Sequence, residues 1–370
     1  MNEKTNTKVM FLKRNGRFRS GQVASAAVAL LFSTVCAGFA QTAASVSQTA
    51  VSEADDAYHF KYWEGSPANA FYNEWWYFNL YDVNNDIQAI FTYQVADPLN
   101  LTGEGVGDLT AVVYQGKNII PESDLYPLSA FTASYTAADV SLGPNTISVS
   151  GPDIYTVMGS SMDGRLSWNL RYNRNHASWL GDNRINVAPP AWEKMSWLVY
   201  MPGANVSGTL AVDGQTYNID CSGYHDHNWG QWNFEGVRWN WAQFSQPGLA
   251  FDLGDIIGNS NGAASVEVAG QRTVFSASQY SVAHTKWAFD QQDNIYYPVQ
   301  STFTAQNGDV SVSIVMDIQK TEPLVTGPAP SLVIYEQPSH FTGTISQSQG
   351  SVSFAGDGFA EYTAISKTTP

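Results

Sequence analysis

The sequence predicts an all-β protein made of two tandem antiparallel β domains, each a sandwich or a barrel. Beyond residue 57, no segment has the period of a convincing amphipathic helix. Short β-rich segments recur instead, and pairs of Gly, Asn and Asp separate them. The roughly 310 residues that follow residue 57 are too many for one eight-stranded barrel, so we expect two domains.

The predicted strands either alternate apolar and polar residues or are rich in β-branched residues. Two dipeptides that are typical of tight hairpin turns adjoin them, Asp213-Gly214 and Asn307-Gly308. We therefore expect a hairpin at each dipeptide. The clearest strand segments are Ile87–Tyr93, Thr146–Ser150, Gly208–Val212 and Val310–Met316.

The boundary between the domains is expected where aromatic residues are densest, from Trp229 to Phe244. We place it after residue 235, which gives an N-terminal domain of residues 58–235 and a C-terminal domain of residues 236–370. No internal repeat of about 20–50 residues is visible, so the sequence does not indicate a solenoid or a propeller.

The first forty residues have the order of a secretory signal peptide. Six basic residues precede an apolar run from about Val23 to Phe32, and small residues follow it up to Ala40. The run is far shorter than the ~20 residues that span a bilayer, so we expect cleavage after Ala40 rather than a stable membrane anchor. The protein is then secreted or periplasmic, and the Ala/Ser/Thr/Gln-rich residues 41–57 form a flexible leader.

The charge balance excludes one class of partner. The chain has 18 basic and 33 acidic residues, a net charge of −15, and removal of the signal peptide leaves 12 − 32 = −20. Such a chain lacks the basic surface that grips phosphates, so we expect no nucleic-acid binding. Cleavage also leaves Cys221 as the one thiol, which excludes an internal disulfide.

The aromatic content points to a cavity lined by rings. The chain contains 12 Trp, 19 Tyr and 18 Phe residues, more than a core of this size needs. Residues 73–78 form a strand-like run in which the carboxylate Glu74 is followed by four aromatic residues. Period two places Trp76 and Phe78 on the face of Glu74, and Trp75 with Tyr77 on the other. Glu74 is then either desolvated beside two inward rings or an ordinary residue at a strand edge.

A second run contains the densest set of titratable groups in the sequence. If residues 223–230 are extended, one side presents Tyr224, Asp226 and Asn228, and the other side presents His225, His227 and Trp229.

Three interpretations of this run stay open. Histidines two apart on a strand can reach one metal, so His225 and His227 are possible ligands, completed by Glu235 or a distant histidine. Alternatively Asp226 is the working group, with Tyr224 and Asn228 as its neighbours. The third interpretation is a polar corner whose histidines satisfy turn carbonyls. We predict no bound metal and no cofactor.

A third run places Trp239 and Trp241 on one face of a strand. Paired indoles suit a flat apolar ligand or a cation, and packing between domains is the alternative. Other chemistries lack their motifs, since the sequence has no Gly-x-Ser-x-Gly elbow, no P-loop and no dinucleotide-binding glycine motif that follows a strand.

In these runs the sequence resembles the superfamily that joins the AttH proteins, hydroxyneurosporene synthase (carotenoid 1,2-hydratase), kievitone hydratase and the lipocalin-like fungal Diels–Alderases. The matching elements span nearly the whole chain beyond the leader. They are residues 73–78, residues 223–230, Trp239-x-Trp241-Ala242 and the closing Gly356-x-Gly358-x-x-Glu361.

The resemblance implies two lipocalin-like β domains with a ligand pocket in or between them. The resemblance also implies that Asp226 is a general acid, because carotenoid hydratases carry an Asp in a Tyr-x-Asp-x-Asn-x-Gly pattern that aligns with Asp226. This chain differs from them in having a histidine on each side of that residue. Because members of the superfamily catalyse different reactions, the fold alone does not choose one.

The leading hypothesis is hydration of an alkene in an apolar, prenylated or isoprenoid small molecule. Asp226 is the expected general acid, oriented by Tyr224 and Asn228, and indoles stabilise the carbocation. The candidates that activate water are Glu74, Glu235, His225 and His227. The expected substrate contacts are Trp75, Trp76, Tyr77, Tyr224, Asn228, Trp229, Trp239 and Trp241, with Trp76, Trp239 and Trp241 facing the cation.

Two other function classes stay open. A cofactor-free pericyclase needs no proton donor, because folding a polyene into its reactive conformer supplies the rate. A non-catalytic lipocalin-like binder of apolar ligands needs no proton donor and forms no product.

Overall fold

The computed structural model describes residues 51–63, 68–186, 192–233, 236–326 and 331–366. The predicted signal peptide and residues 41–50 of the predicted leader lie outside this part of the chain. The described residues form two antiparallel β-sheets and four short 3-10 helices, so the predicted all-β class is confirmed. Among these residues, no helix has the length and apolar character needed to cross a membrane.

The first sheet contains twelve strands in the order β4-β3-β2-β1-β12-β11-β9-β8-β7-β6-β5, with β10 paired to β11. The strands are β1 (Tyr72–Asp82), β2 (Ile87–Ala96), β3 (Val106–Gln115), β4 (Asn118–Pro127), β5 (Phe131–Ala133), β6 (Val140–Leu142), β7 (Asn145–Gly151), β8 (Ile154–Ser160), β9 (Leu166–Arg174), β10 (Trp179–Asn186), β11 (Lys194–Val212) and β12 (Gln215–Gln231).

The second sheet contains ten strands in the order β16-β15-β14-β13-β22-β21-β19-β18-β17, with β20 paired to β21. The strands are β13 (Trp239–Gln246), β14 (Leu249–Ile256), β15 (Gly262–Val268), β16 (Gln271–Ser276), β17 (Tyr280–Asp290), β18 (Ile295–Asn307), β19 (Val310–Ile318), β20 (Glu322–Thr326), β21 (Ser331–Gln347) and β22 (Gly350–Ser366).

Both sheets follow the same connection rule, in which the last strand returns to pair with the first. Strand β12 pairs with β1, and β22 pairs with β13. The first sheet ends at Gln231 and the second begins at Trp239, and the domain boundary after residue 235 stays a prediction.

The predicted strand segments and turns are found in the structure. The four segments lie within β2, β7, β11 and β19. Asp213-Gly214 joins β11 to β12 with both residues at positive φ (48° and 84°), as a type I′ turn requires. Gly308, also at positive φ, joins β18 to β19.

The end of the predicted flexible leader is ordered instead. Residues 53–56 form a 3-10 helix, Glu53–Asp56, and the side chain of Asp56 is fully buried against the first sheet. Three further 3-10 helices are Phe60–Tyr62, Asn69–Phe71 and Leu128–Ala130.

Each sheet encloses its own apolar core, and a third cluster lies between the sheets. The strict alternation of β9 shows how a core forms, because Leu166, Trp168, Leu170 and Tyr172 point inward and the residues between them face solvent. The cluster between the sheets is rich in rings from both, including Trp197, Tyr224 and Trp241. The two sheets therefore meet over aromatic side chains.

Candidate active site between the two sheets

The pairing of β1 with β12 creates two chemically different faces. In the register of this pair, Tyr77 lies opposite Asp226 and Trp76 lies opposite His227. Because side chains alternate along a strand, each pair points to its own side of the sheet. The predicted division of both runs into two faces is confirmed, with one face toward the second sheet and the other toward the core of the first.

The face toward the second sheet lines a pocket. Its walls surround about 540 Å³ of empty space, open mouth included. Both sheets contribute to its walls. The lining residues are Trp75, Tyr77, Met195, Trp197, Asp226, Asn228, Trp239, Asn240, Trp241, Gly254, Asp255, Ile256 and Glu361.

Asp226 is a buried carboxyl held by three donors. Trp197 Nε1 and Tyr224 OH donate to its Oδ2 at 2.8 and 2.9 Å, and Asn228 Nδ2 lies 3.4 Å from its Oδ1. Burial raises the pKa of Asp226 and these donors lower it, with a net value of about 6. Since two donors occupy Oδ2, the proton of the neutral acid belongs on Oδ1.

A second carboxyl, Glu361 on β22, lines the pocket from the other sheet. Its Oε2 accepts a hydrogen bond from Trp239 Nε1 at 2.9 Å. Burial raises the pKa of Glu361 and the hydrogen bond from Trp239 lowers it, and the net value is about 7. Glu336 is its register partner on β21, and burial together with the charge of Glu361 raises the pKa of Glu336 well above its usual range. The pocket thus brings together two carboxyl groups, Asp226 and Glu361, whose pKa values lie close enough to neutrality for each to gain or lose a proton there.

Indole and phenol rings form most of the apolar wall. The ring of Trp241 lies edge-on to Tyr77 and Tyr224, with centroids 5.2 and 5.4 Å apart. Gly254 on β14 lets the sheets approach, because a Cβ there would lie 2.8 Å from the Trp197 ring.

Several expected substrate contacts do lie in this pocket. Trp75, Tyr77, Asn228, Trp239 and Trp241 line it beside Asp226. Tyr224 is fully buried and contacts Asp226 without being part of the lining.

Other expected site residues point away from the pocket, into the core of the first sheet. Trp76 and Trp229 belong to that core, so Trp75 takes the place that we expected for Trp76. Glu74, His225 and His227 lie on the same far face, which removes them as groups that activate water in the pocket. Glu235 lies outside the described residues.

The remaining lining residues carry no clear signal in the sequence. Glu361 was identified only as the last residue of the closing motif. Its position in the same pocket as Asp226 depends on how the two sheets pack, which local sequence patterns do not reveal. Trp197 lies in an apolar stretch of β11 that resembles any other core strand.

The far face of β1 and β12 carries a buried polar network. His225 Nε2 lies 2.8 Å from Asp56 Oδ2, and His227 Nδ1 lies 3.1 Å from Asp56 Oδ1. His227 Nε2 lies 2.9 Å from Glu74 Oε1, and His59 Nδ1 lies 3.2 Å from the same oxygen. Each of the two carboxylates thus faces two imidazoles.

The network fixes the charges of its members. Burial lowers the pKa of His227, but Asp56 and Glu74 raise it to a net value of about 9. Burial raises the pKa of Asp56 and of Glu74, and the facing imidazoles bring both values below their usual range. His227 is therefore a cation between two anions in the metal-free protein.

Comparison with solved structures identifies proteins of the same fold. A protein assigned as AttH from Nitrosomonas europaea matches with a TM-score of 0.63 and 16% identity, over 88% of this chain and all of that one. CghA, in a crystal structure with Sch210972, matches with a TM-score of 0.57 and 12% identity, over 81% of this chain and 90% of that one.

Kievitone hydratase from Nectria haematococca also matches, with a TM-score of 0.53 and 16% identity, over 82% of this chain and 91% of that one. No family model and no curated protein matches the sequence. At these identities the similarity shows a shared fold, two lipocalin-like β domains in tandem, which agrees with the expectation from the sequence motifs.

Proposed function

We propose that this protein is a hydratase that adds water to an alkene of an apolar small molecule in the pocket between the two sheets. One observation carries the proposal: Asp226, a buried carboxyl whose Oδ2 is fixed by two donors, lies in an indole-lined pocket with a second carboxyl on the opposite sheet. This pair supplies an acid and a base in a site that also suits a carbocation.

In the first step, Asp226 donates the proton on Oδ1 to one alkene carbon. The π electrons form the new C–H bond, the O–H bond of Asp226 breaks, and the other carbon becomes a cation. Trp197 and Tyr224 hold the carboxylate that remains. The faces of Trp75, Trp239 and Trp241 can stabilise the cation, by up to ~2 kcal/mol each when desolvated.

In the second step, water attacks the cation and loses a proton to the carboxylate of Glu361. The products are an alcohol, an Asp226 anion and a protonated Glu361. Return of that proton to Asp226 through solvent completes the cycle, so that one water is consumed for each alkene. This assignment gives Glu361 the role that we expected of Glu74, Glu235, His225 or His227.

The proposed substrate is an alkene whose protonation gives a tertiary cation, as in a prenyl chain, because such cations form at the lowest cost. Kievitone hydratase, which has the same fold, is named for a hydration. The order of residues 1–40 supports a location outside the cytoplasm, where such a substrate is met after export.

The test uses kievitone and simple prenylated phenols as substrates in heavy-oxygen water. We expect a product that has gained one labelled water. Asp226→Asn should lose at least about 100-fold in turnover, because an amide cannot deliver the proton. Asp220→Asn, on the exposed end of the same strand, is the matched control and should keep wild-type activity.

Two results would contradict hydration. One is turnover by Asp226→Asn within a few-fold of wild type. The other is a product of unchanged mass, which would favour a pericyclase. The amides of Asn228 and Asn240 in the pocket wall would then be the groups that polarise a substrate carbonyl. Saturable quenching of Trp fluorescence without any product would indicate a binder.

A further inference from the structure

Three side chains on the far face of the first sheet bring one possible ligand atom each into a small cluster. Glu74 Oε1 lies 2.9 Å from His227 Nε2 and 3.2 Å from His59 Nδ1, and all three atoms lie within 4.8 Å of one another. We infer that His59, Glu74 and His227 form a binding site for one divalent transition-metal ion such as zinc. This site is separate from the pocket and does not depend on the proposed hydration.

The donor set fits zinc. Two imidazole nitrogens and one carboxylate oxygen are ordinary zinc ligands, and three protein ligands leave a fourth position for water. Bonds of about 2.0–2.2 Å place two ligands of a tetrahedral ion about 3.3 Å apart. The separations of 2.9 and 3.2 Å at Glu74 Oε1 are within a few tenths of an ångström of that value.

The ligands have the outer partners that metal sites use. The other ring nitrogen of His227, Nδ1, lies 3.1 Å from Asp56 Oδ1, so a second carboxylate stands behind this imidazole, as is usual for metal-bound histidines. The hydroxyl of Tyr72 donates a hydrogen bond to Glu74 Oε2, and the backbone N–H of His59 donates to both carboxylate oxygens, at 2.9 Å to Oε1 and 3.1 Å to Oε2. These donors hold the carboxylate beside the two imidazoles.

Ring stacking holds both imidazoles in place. The ring of His59 lies flat on Trp229, with centroids 3.7 Å apart and planes 4° apart. The ring of His227 stacks on Trp76 at 4.5 Å. Ligands that are already oriented lose little rotational freedom when an ion binds.

Charge and access also favour a cation. The carboxylates of Asp56 and Glu74 are fully buried, and a divalent ion would neutralise both. The side chain of His59 keeps 14% of its surface exposed, so an ion can enter from its side.

The site differs from the metal site that the spacing of His225 and His227 suggested. The two nitrogens of His225 face Tyr77 O at 2.9 Å and Asp56 Oδ2 at 2.8 Å, away from Glu74. The second imidazole comes instead from His59, in the segment that precedes β1. A bound ion would therefore fasten that N-terminal segment to β1 and β12.

The test begins with full-length protein freed of metal by a chelator and then dialysed against zinc chloride. We expect one zinc per chain by elemental analysis, no retention of magnesium, and a higher midpoint of thermal unfolding with zinc. Cobalt(II) in place of zinc should give the visible absorption of a four-coordinate nitrogen–oxygen site.

The decisive variant is His59→Phe, which keeps a flat ring over Trp229 and removes the ligand nitrogen. Its zinc affinity should fall at least about 100-fold, more than loss of an outer partner costs. His340→Ala, a half-exposed histidine that pairs with Asp357 in the second sheet, should bind zinc like wild type.

Wild-type protein that retains no zinc, or His59→Phe protein with unchanged affinity, would overturn the proposal. If the variant fails to fold, the cobalt spectrum of the wild-type protein decides, since a spectrum of six-coordinate aqueous cobalt would mean that the site does not exist.

Discussion

At Asp226, the hydrogen bonds decide which oxygen can release a proton. Trp197 and Tyr224 both donate to Oδ2, and the amide of Asn228 approaches Oδ1 only at 3.4 Å. A carboxyl held in this way presents one free O–H in a fixed direction. The same two donors then stabilise the anion that forms as the proton leaves.

Glu361 is a buried carboxyl whose proposed role in catalysis has a cost in stability. Burial raises its pKa from 4.5 to about 7, so folding favours the neutral form. The unfolded chain loses this proton at lower pH than the folded protein, and stability therefore falls as pH rises from 4.5 to about 7.

We expect Glu361→Gln to remove the part of the fall in stability with rising pH that the ionisation of Glu361 causes. The variant should unfold at a temperature at least ~2 °C above wild type at about pH 8, with a smaller difference at about pH 5, while turnover falls at least about 10-fold. Thermal unfolding at the two pH values and product assays measure both effects. Equal pH dependence of stability in the two proteins would contradict the burial argument, and the exposed Asp220→Asn should behave like wild type.

At the scale of elements, strand β12 is shared by two sites with different chemistry. One face presents Asp226 to the pocket, and the other presents His225 and His227 to Asp56 and Glu74. The 3-10 helix Glu53–Asp56 completes the second face, because it carries the carboxylate that lies 2.8 Å from His225 Nε2 and 3.1 Å from His227 Nδ1 and that accepts a hydrogen bond from the hydroxyl of Tyr155.

We expect Asp56→Asn to lower the free energy of unfolding by about 3 kcal/mol in chelator-treated protein, since it breaks a buried ion pair by removing one partner. Urea unfolding followed by Trp fluorescence measures the change. Asp220→Asn, at an exposed position of β12, should change stability by less than about 0.5 kcal/mol. Equal stability of the two variants would show that the network contributes nothing to the fold.

The strands, the hairpin at Asp213-Gly214 and the two faces of β12 were predictable because their signals are local. An alternation of two residues assigns a side chain to a face without knowledge of its partner. The partners themselves were not predictable. Asp56 meets His225 across 169 residues, and it belongs to a segment whose small and polar residues are typical of a flexible leader.

At the scale of the whole molecule, a buried ionic network ties the two sheets together beside the pocket. His176, which follows β9, lies 2.8 Å from Glu267 on β15. Arg272 on β16 lies 2.7 Å from Glu267 and 3.4 Å from Asp252, and it also donates to the carbonyl of Ala177 from the first sheet. Trp179 of β10 donates to Asp252 at 3.0 Å.

We expect Arg272→Ala to destabilise the protein by about 3 kcal/mol, because Asp252 would stay buried without its cation and Glu267 would keep only His176 as a partner. Activity at temperatures below the unfolding transition should also fall, since the pocket depends on the spacing of the sheets. Arg171→Ala, an exposed arginine on β9, is the control. A stable variant with normal activity would show that apolar contacts alone hold the sheets in place.

The pocket takes one carboxyl from each sheet, Asp226 from the first and Glu361 from the second. In evolutionary terms, neither half of the gene encodes a complete site, and each alone specifies one wall of it. A change in the ligand that the pocket accepts can therefore proceed by altering one wall at a time, since each wall is encoded in its own part of the chain.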